Sequence, residues 1–134
     1  KGGDEINQLV AGKNYGWPVA TYGKDYNDER VGVGSRYAGI EEPLHYWDPS
    51  VAPSSLLIYG GENHQNWKNS WFVTTLRERT LIRFVRRENQ LIEERLYQNE
   101  FGRIRKIGAS PTGDLFLLTD GGKGSLVKIL GSSR

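Results

Sequence analysis

Ser54-Ser55-Leu56-Leu57-Ile58-Tyr59-Gly60-Gly61 and Thr80-Leu81-Ile82-Arg83-Phe84-Val85-Arg86 are the stretches on which the fold turns. Each is a short apolar or alternating run bounded by turn formers, the pattern of a β-strand. Comparable runs cover 43–47, 70–75 and 91–97, with Gly60-Gly61, Arg77-Glu78 and Glu88-Asn89 as turn residues. Four consecutive strands of this kind make an antiparallel meander, and a four-stranded meander is one blade of a β-propeller. The pattern therefore predicts an all-β chain with a complete blade over 54–97.

Working outward, strands are predicted again over 104–109, 115–119 and 126–130, joined by Ser110-Pro111-Thr112-Gly113 and by 120–124. This second set, 103–130, stops one strand short of a blade. Closed propellers often take such a strand from the other end of the chain, so the chain is expected to be the C-terminal part of a larger ring. A small β-sandwich would use the same strands, and periodicity does not separate the two. Two blades alone leave apolar faces and strand edges open to water, so the isolated piece is expected to self-associate or to cover its open face.

The 134 residues carry 18 Lys plus Arg against 16 Asp plus Glu, a net +2 with both signs mixed along the chain, which implies neither nucleic acid nor an anionic membrane as partner. Cysteine is absent, which excludes disulfides and thiolate metal sites. Methionine is absent too, so a processed or excised piece is expected, and no apolar run is long enough to span a bilayer. Hydrophobic residues make up 37% of the chain and helical periodicity is nowhere sustained, which fits a β-rich globular region.

Residues 1–53 read differently. Gly2-Gly3-Asp4-Glu5-Ile6-Asn7 precedes a predicted strand over 5–10, and Gly12-Lys13-Asn14-Tyr15-Gly16-Trp17-Pro18 forms a turn that leads into an extended segment over 17–22. Residues 23–39 are rich in Gly, Asp, Asn and Arg without alternation, which fits either a solvated excursion or a binding loop. Hard cations take several oxygens at once, and Glu5, the Tyr15 carbonyl and Asp25 would supply two charges and a neutral ligand for calcium from one continuous segment. Exposed acids flanking two β-turns explain the same residues without a metal.

Arg103-Ile104-Arg105 carries the second chemical signal. On a strand both guanidinium groups project to one face, and two like charges side by side are unfavourable unless an anion lies between them. Guanidinium is the group best shaped to grip a carboxylate in a fork. A solvated strand face with two exposed arginines is the plain alternative. His45 and His64, the two histidines, lie in a strand pattern and a polar turn and suggest no catalytic role. Gly121-Gly122-Lys123-Gly124 joins strand to strand and is a hairpin turn rather than a phosphate loop.

Gly2-Gly3-Asp4-Glu5-Ile6-Asn7 with Gly12-Lys13-Asn14-Tyr15-Gly16-Trp17-Pro18 resembles the signature of the soluble quinoprotein sugar dehydrogenases, the glucose and aldose dehydrogenases that use pyrroloquinoline quinone (PQQ). The resemblance continues in order through Tyr46-Trp47-Asp48-Pro49-Ser50-Val51-Ala52-Pro53-Ser54, Arg103-Ile104-Arg105 and Ser110-Pro111-Thr112-Gly113-Asp114-Leu115. It implies about two blades of a six-bladed propeller. It implies a structural calcium at Glu5, Tyr15 and Asp25; some members add another acid from a region that matches poorly here, where Glu41 or Glu42 could stand in. Arg103 and Arg105 would hold carboxylates of PQQ. Arg77 stands where the family usually has a lysine beside the quinone, a change that keeps the charge and alters the reach. Ser50 falls at a small hydroxyl position near the cofactor, Tyr26 at a tyrosine that approaches PQQ, and Trp47 where an aromatic flanks the sugar, although Trp47 fits a core position equally well.

The resemblance further implies oxidation of aldose sugars at C1 with a separate electron acceptor, outside the cytoplasm of bacteria, in the periplasm or secreted. The family's histidine base belongs to an earlier blade, and its Gly-Pro carbonyls fall immediately before Lys1. No catalytic residue is therefore assigned within the chain, and the isolated fragment is expected to be inactive. A non-catalytic propeller that binds carbohydrate or protein is the competing reading, since fold alone does not fix function.

Overall fold

A computed structural model describes residues 1–88 and 90–130. The chain divides into two compact units, one covering Lys1–Val51 and one beginning at Ala52. In the first, β1 (Asp4–Ile6) pairs antiparallel with β2 (His45–Trp47), with Glu5 opposite Tyr46. The Gly3 amide donates to the Trp47 carbonyl at 2.7 Å and the Leu44 amide to the Ile6 carbonyl at 2.8 Å, closing the ladder at both ends. Gly3 has φ +73°, and a Cβ there would collide with the Gly23 backbone, so only glycine fits. Ile6, Ala20, Trp47 and Val51 form the buried part of this unit.

One predicted element of this unit is shorter than expected and another is not found. The strand expected over 5–10 ends at Ile6, where the three-residue partner strand runs out. The extended segment expected over 17–22 is a turn: the Gly16 carbonyl accepts from the Val19 amide at 2.7 Å and the Ala20 amide at 2.9 Å, which reverses the chain. Within 23–39 the one regular pairing among the described residues is a single bridge from Lys24 to Arg30.

The second unit is two antiparallel sheets. β3 (Pro53–Ile58), β4 (Trp71–Thr75), β5 (Leu81–Arg87) and β6 (Gln90–Leu96) run side by side in chain order. β7 (Arg103–Ala109), β8 (Leu115–Asp120) and β9 (Leu126–Ile129) form the other. A single turn of 3₁₀ helix, Gln65–Trp67, precedes β4. Strand β7 packs against β3 and β4. Tyr59, Phe72, Leu81, Ile104, Ile107, Leu115, Leu117 and Ile129 build the core between the sheets. Two polar contacts pin this packing: Ser54 Oγ donates to the Ile104 carbonyl at 2.7 Å, and the buried Tyr59 hydroxyl donates to the Gly113 carbonyl at 2.5 Å.

Strand β7 is not regular. Ile104 and Ile107 are both buried although they stand three residues apart, a spacing that would put them on opposite faces of an even strand. A β-bulge between Ile104 and Lys106 supplies the extra residue, Arg105, and turns both isoleucines inward.

His64 is buried rather than lying in an open polar turn. Its ring stacks on Trp67 at 5.1 Å and meets the edge of Tyr59, while Nε2 has no hydrogen-bond partner among the described residues. Desolvation lowers its pKa below the ordinary 6.5, against the pull of Asp114. The folded state therefore binds this proton later than the unfolded chain. Its stability is undiminished above 6.5 and falls as pH drops through the ordinary imidazole range toward the lowered folded value. Urea melts of wild type and His64→Gln on either side of that range should show a steeper acid loss in wild type, and equal slopes would contradict it.

Candidate functional site

Arg103 opens β7 and lies opposite Asp120, the last residue of β8. Arg105, the extra residue of the bulge, reaches the same carboxylate. Arg103 Nε donates to Asp120 Oδ1 at 3.3 Å, and an Arg105 terminal nitrogen pairs with Oδ2. Both arginines are exposed and Ile104 between them is fully buried. The anion that two neighbouring guanidinium groups require is thus supplied from inside the chain. The Arg105 hydrogen bond holds the Asp120 pKa below the usual carboxylate value, against the opposing effect of desolvation and with a further lowering by Arg103. The sequence reading missed Asp120, and the three-residue spacing of Ile104 and Ile107 was the available signal that the strand bulges here.

Arg77 lies in the β4–β5 turn, which closes through Thr80 N–H to Thr75 Oγ1 at 2.9 Å and Thr75 Oγ1 to the Thr80 carbonyl at 2.8 Å. Glu78 of the same turn pairs with Arg95 of β6 at 2.8 Å, so the turn is tied to the sheet and Arg77 is carried exposed at its tip.

The remaining predicted site residues belong to the first unit. Ser50 Oγ donates to Asp4 Oδ2 at 2.5 Å, and the Val51 amide donates to the same oxygen at 3.1 Å. Asp4, which the sequence gives no separate role beside Glu5, therefore fixes the segment after Trp47. Trp47 is only 5% exposed and meets the edge of His45 at 4.7 Å, which places it in the core. Tyr26 is 86% exposed.

Of the proposed calcium ligands, Glu5 accepts from Asn7 Nδ2 at 3.0 Å through Oε2, and Asp25 accepts from the Tyr26 amide at 2.6 Å through Oδ1. Each carboxylate keeps its second oxygen outside these bonds. The Tyr15 hydroxyl accepts from the Val10 amide and donates to the Gln8 carbonyl, which holds the residue whose backbone carbonyl is the proposed ligand. Glu41 pairs with Lys13 at 2.8 Å, while Glu42 binds the Tyr22 hydroxyl at 2.7 Å and Arg36 at 3.3 Å. No group of three or more His, Cys, Asp or Glu within reach of one metal ion occurs among the described residues.

Residues 1–128 match the profile of the glucose/sorbosone dehydrogenase family. The chain belongs to that family. It is 35% identical over 132 residues to aldose sugar dehydrogenase YliI of Escherichia coli K12, covering 96% of this chain and 36% of that protein. A crystal structure of a glucose dehydrogenase superposes with a TM-score of 0.91 at 41% identity, over 98% of this chain and 39% of that one. The PQQ-bound form of an aldose sugar dehydrogenase from Streptomyces coelicolor shares the fold, with a TM-score of 0.66 at 23% identity over 93% of this chain and 35% of that one. This member of the glucose/sorbosone dehydrogenase family is an all-β part of a β-propeller and spans just over a third of the length of these relatives.

The paired arginines make a direct prediction for Asp120. On acidification its carboxylate should stay ionised after exposed carboxylates have protonated, because both guanidinium groups favour the charged form. Its contribution to stability is present above the ordinary 3.8 and disappears as pH falls through the lowered folded value. Side-chain carboxyl NMR titration measures this, and a midpoint at or above 3.8 would contradict the pairing.

Proposed function

We propose that this chain carries the cofactor-holding part of a PQQ-dependent dehydrogenase of aldose sugars, with Arg103 and Arg105 gripping PQQ carboxylates. The observation that carries the reading is the convergence of both guanidinium groups on one carboxylate, Asp120, at an exposed strand end. A donor set that already binds one carboxylate fits a tricarboxylate cofactor. PQQ, when bound, supplies the hydride acceptor for oxidation of the sugar at C1, and the electrons leave to a separate acceptor. Arg77, on its anchored turn, offers a further positive donor, and Ser50 and Tyr26 are assigned to the cofactor's surroundings. Trp47 is assigned to the sugar's surroundings by the resemblance alone, since its ring is buried here.

Residues 54–97 are read as a complete blade and 103–130 as an incomplete last one, with 1–53 as the calcium and cofactor loops. The proton-accepting base lies outside this chain, so the isolated fragment is inactive. Its open apolar residues, among them Leu56 and Ile58 on β3 and Leu126 on β9, favour self-association. The parent works in the periplasm or as a secreted protein; among the described residues, no helix is long and apolar enough to cross a membrane.

Two measurements test this reading. In the full-length protein, Arg103→Ala or Arg105→Ala removes a charge-assisted pair at a cost of roughly 2–4 kcal/mol. That weakens PQQ binding by roughly thirty-fold to several hundred-fold, while saturating PQQ restores much of the activity. Arg103→Lys rescues only in part, because it keeps the charge and loses the fork. Wild-type affinity in both alanine variants, read by titrating PQQ into apoprotein, would end the assignment. Calcium should raise the melting temperature through Glu5, Tyr15 and Asp25, by an amount set by its concentration relative to the dissociation constant. A melting temperature that does not move with calcium would remove that site.

A further inference from the structure

Asp120 is more than a neutralising neighbour of the arginines. It takes one hydrogen bond from each, Arg103 Nε on Oδ1 and an Arg105 terminal nitrogen on Oδ2, so its two oxygens fix two guanidinium groups at once. A guanidinium carries five N–H donors, so four on each arginine are left for another acceptor. The Asp120 side chain is 27% exposed against 43% for Arg103 and 50% for Arg105, so the arginines are the more open to solvent.

Asp120 is itself held in place. It ends β8 directly opposite Arg103, and the hairpin that follows is locked by Ser125 N–H to Thr119 Oγ1 at 2.9 Å and Thr119 N–H to the Ser125 carbonyl at 2.9 Å. On the other strand the bulge is fixed by burial of Ile104 and Ile107. Both ends of the bridge are thus anchored in the sheet rather than in side-chain chance.

We propose that Asp120 is a positioning residue: it clamps Arg103 and Arg105 into one outward-facing array of donors that receives the carboxylates of the cofactor. The proposal rests on the reading that these arginines hold PQQ. Two effects of removing the Asp120 charge oppose each other. Loss of a negative charge strengthens attraction for an anion, but water screens this at half-exposed arginines and limits it to about a few-fold. Loss of the clamp frees two long side chains and restores the repulsion between them, so ordering must be supplied again on binding, at about ten- to a hundredfold in affinity. Ordering prevails, and the sign of the effect decides the matter.

The test is PQQ titration into the full-length apoprotein, followed by absorbance, for Asp120→Asn, Asp120→Ala and Asp120→Glu, with Arg105→Ala and the double variant Asp120→Asn/Arg105→Ala alongside. Binding should weaken by about tenfold or more in Asp120→Asn and Asp120→Ala, and recover largely in Asp120→Glu. Asp120→Asn should add little on top of Arg105→Ala, because the residue acts through the arginines. Asparagine is isosteric and keeps an acceptor, so it remains informative if alanine does not fold. Unchanged or tighter binding in Asp120→Asn, with Arg105→Ala weakened, would overturn the positioning role alone. Wild-type affinity in Arg105→Ala would instead remove the cofactor reading and the proposal with it.

Discussion

The packing of β7 against β3 and β4 is the constraint on which the second unit depends. Ile104 and Ile107 must both be buried, and an even strand cannot bury residues three apart. The extra residue of the bulge resolves this, and the residue expelled is Arg105. Had Arg105 stood in a regular ladder, the register with β8 beyond Ile104 would slip, Lys106 would face Leu117 on the core side and Ile107 would turn outward.

Electrostatics follow from that geometry. Two arginines are forced to one side of one strand end, and Asp120 across the ladder relieves the repulsion without consuming more than one donor from each. The result is a surface already neutralised in part, still rich in N–H groups, and backed by a dry core. Such an arrangement suits a polycarboxylate better than a single charge would. Most other ion pairs of the chain, such as Lys1 with Asp28 or Lys68 with Glu62, are exposed and join residues whose loss would change little.

The strands of the second unit were legible because each carries period-two or continuous apolar runs bounded by turn residues, and all seven lie within a residue or two of their expected bounds. The first unit was less legible. Its regular structure is a three-residue ladder, and the rest is held by turn hydrogen bonds around Gly16 and by side chains such as Asp4, which leave no periodic trace. His64 was misplaced for a related reason: a polar neighbourhood, Glu62-Asn63 before it and Gln65-Asn66 after it, hides an inward-facing ring. The placing of Arg103 and Arg105 on one face could be read from spacing, while a cofactor role for them comes only from the resemblance. Asp120 could not, because its role arises from a cross-strand register that no local pattern announces.

The central claim is that the β7 arginines, braced by Asp120, are a carboxylate grip for the cofactor. A crystal structure of the full-length protein with PQQ tests it most directly. The account predicts PQQ carboxylate oxygens at about 3 Å from nitrogens of both Arg103 and Arg105, with Asp120 still bridging the pair. PQQ bound with its carboxylates elsewhere, or bound with both arginines facing only Asp120 and solvent, would contradict it.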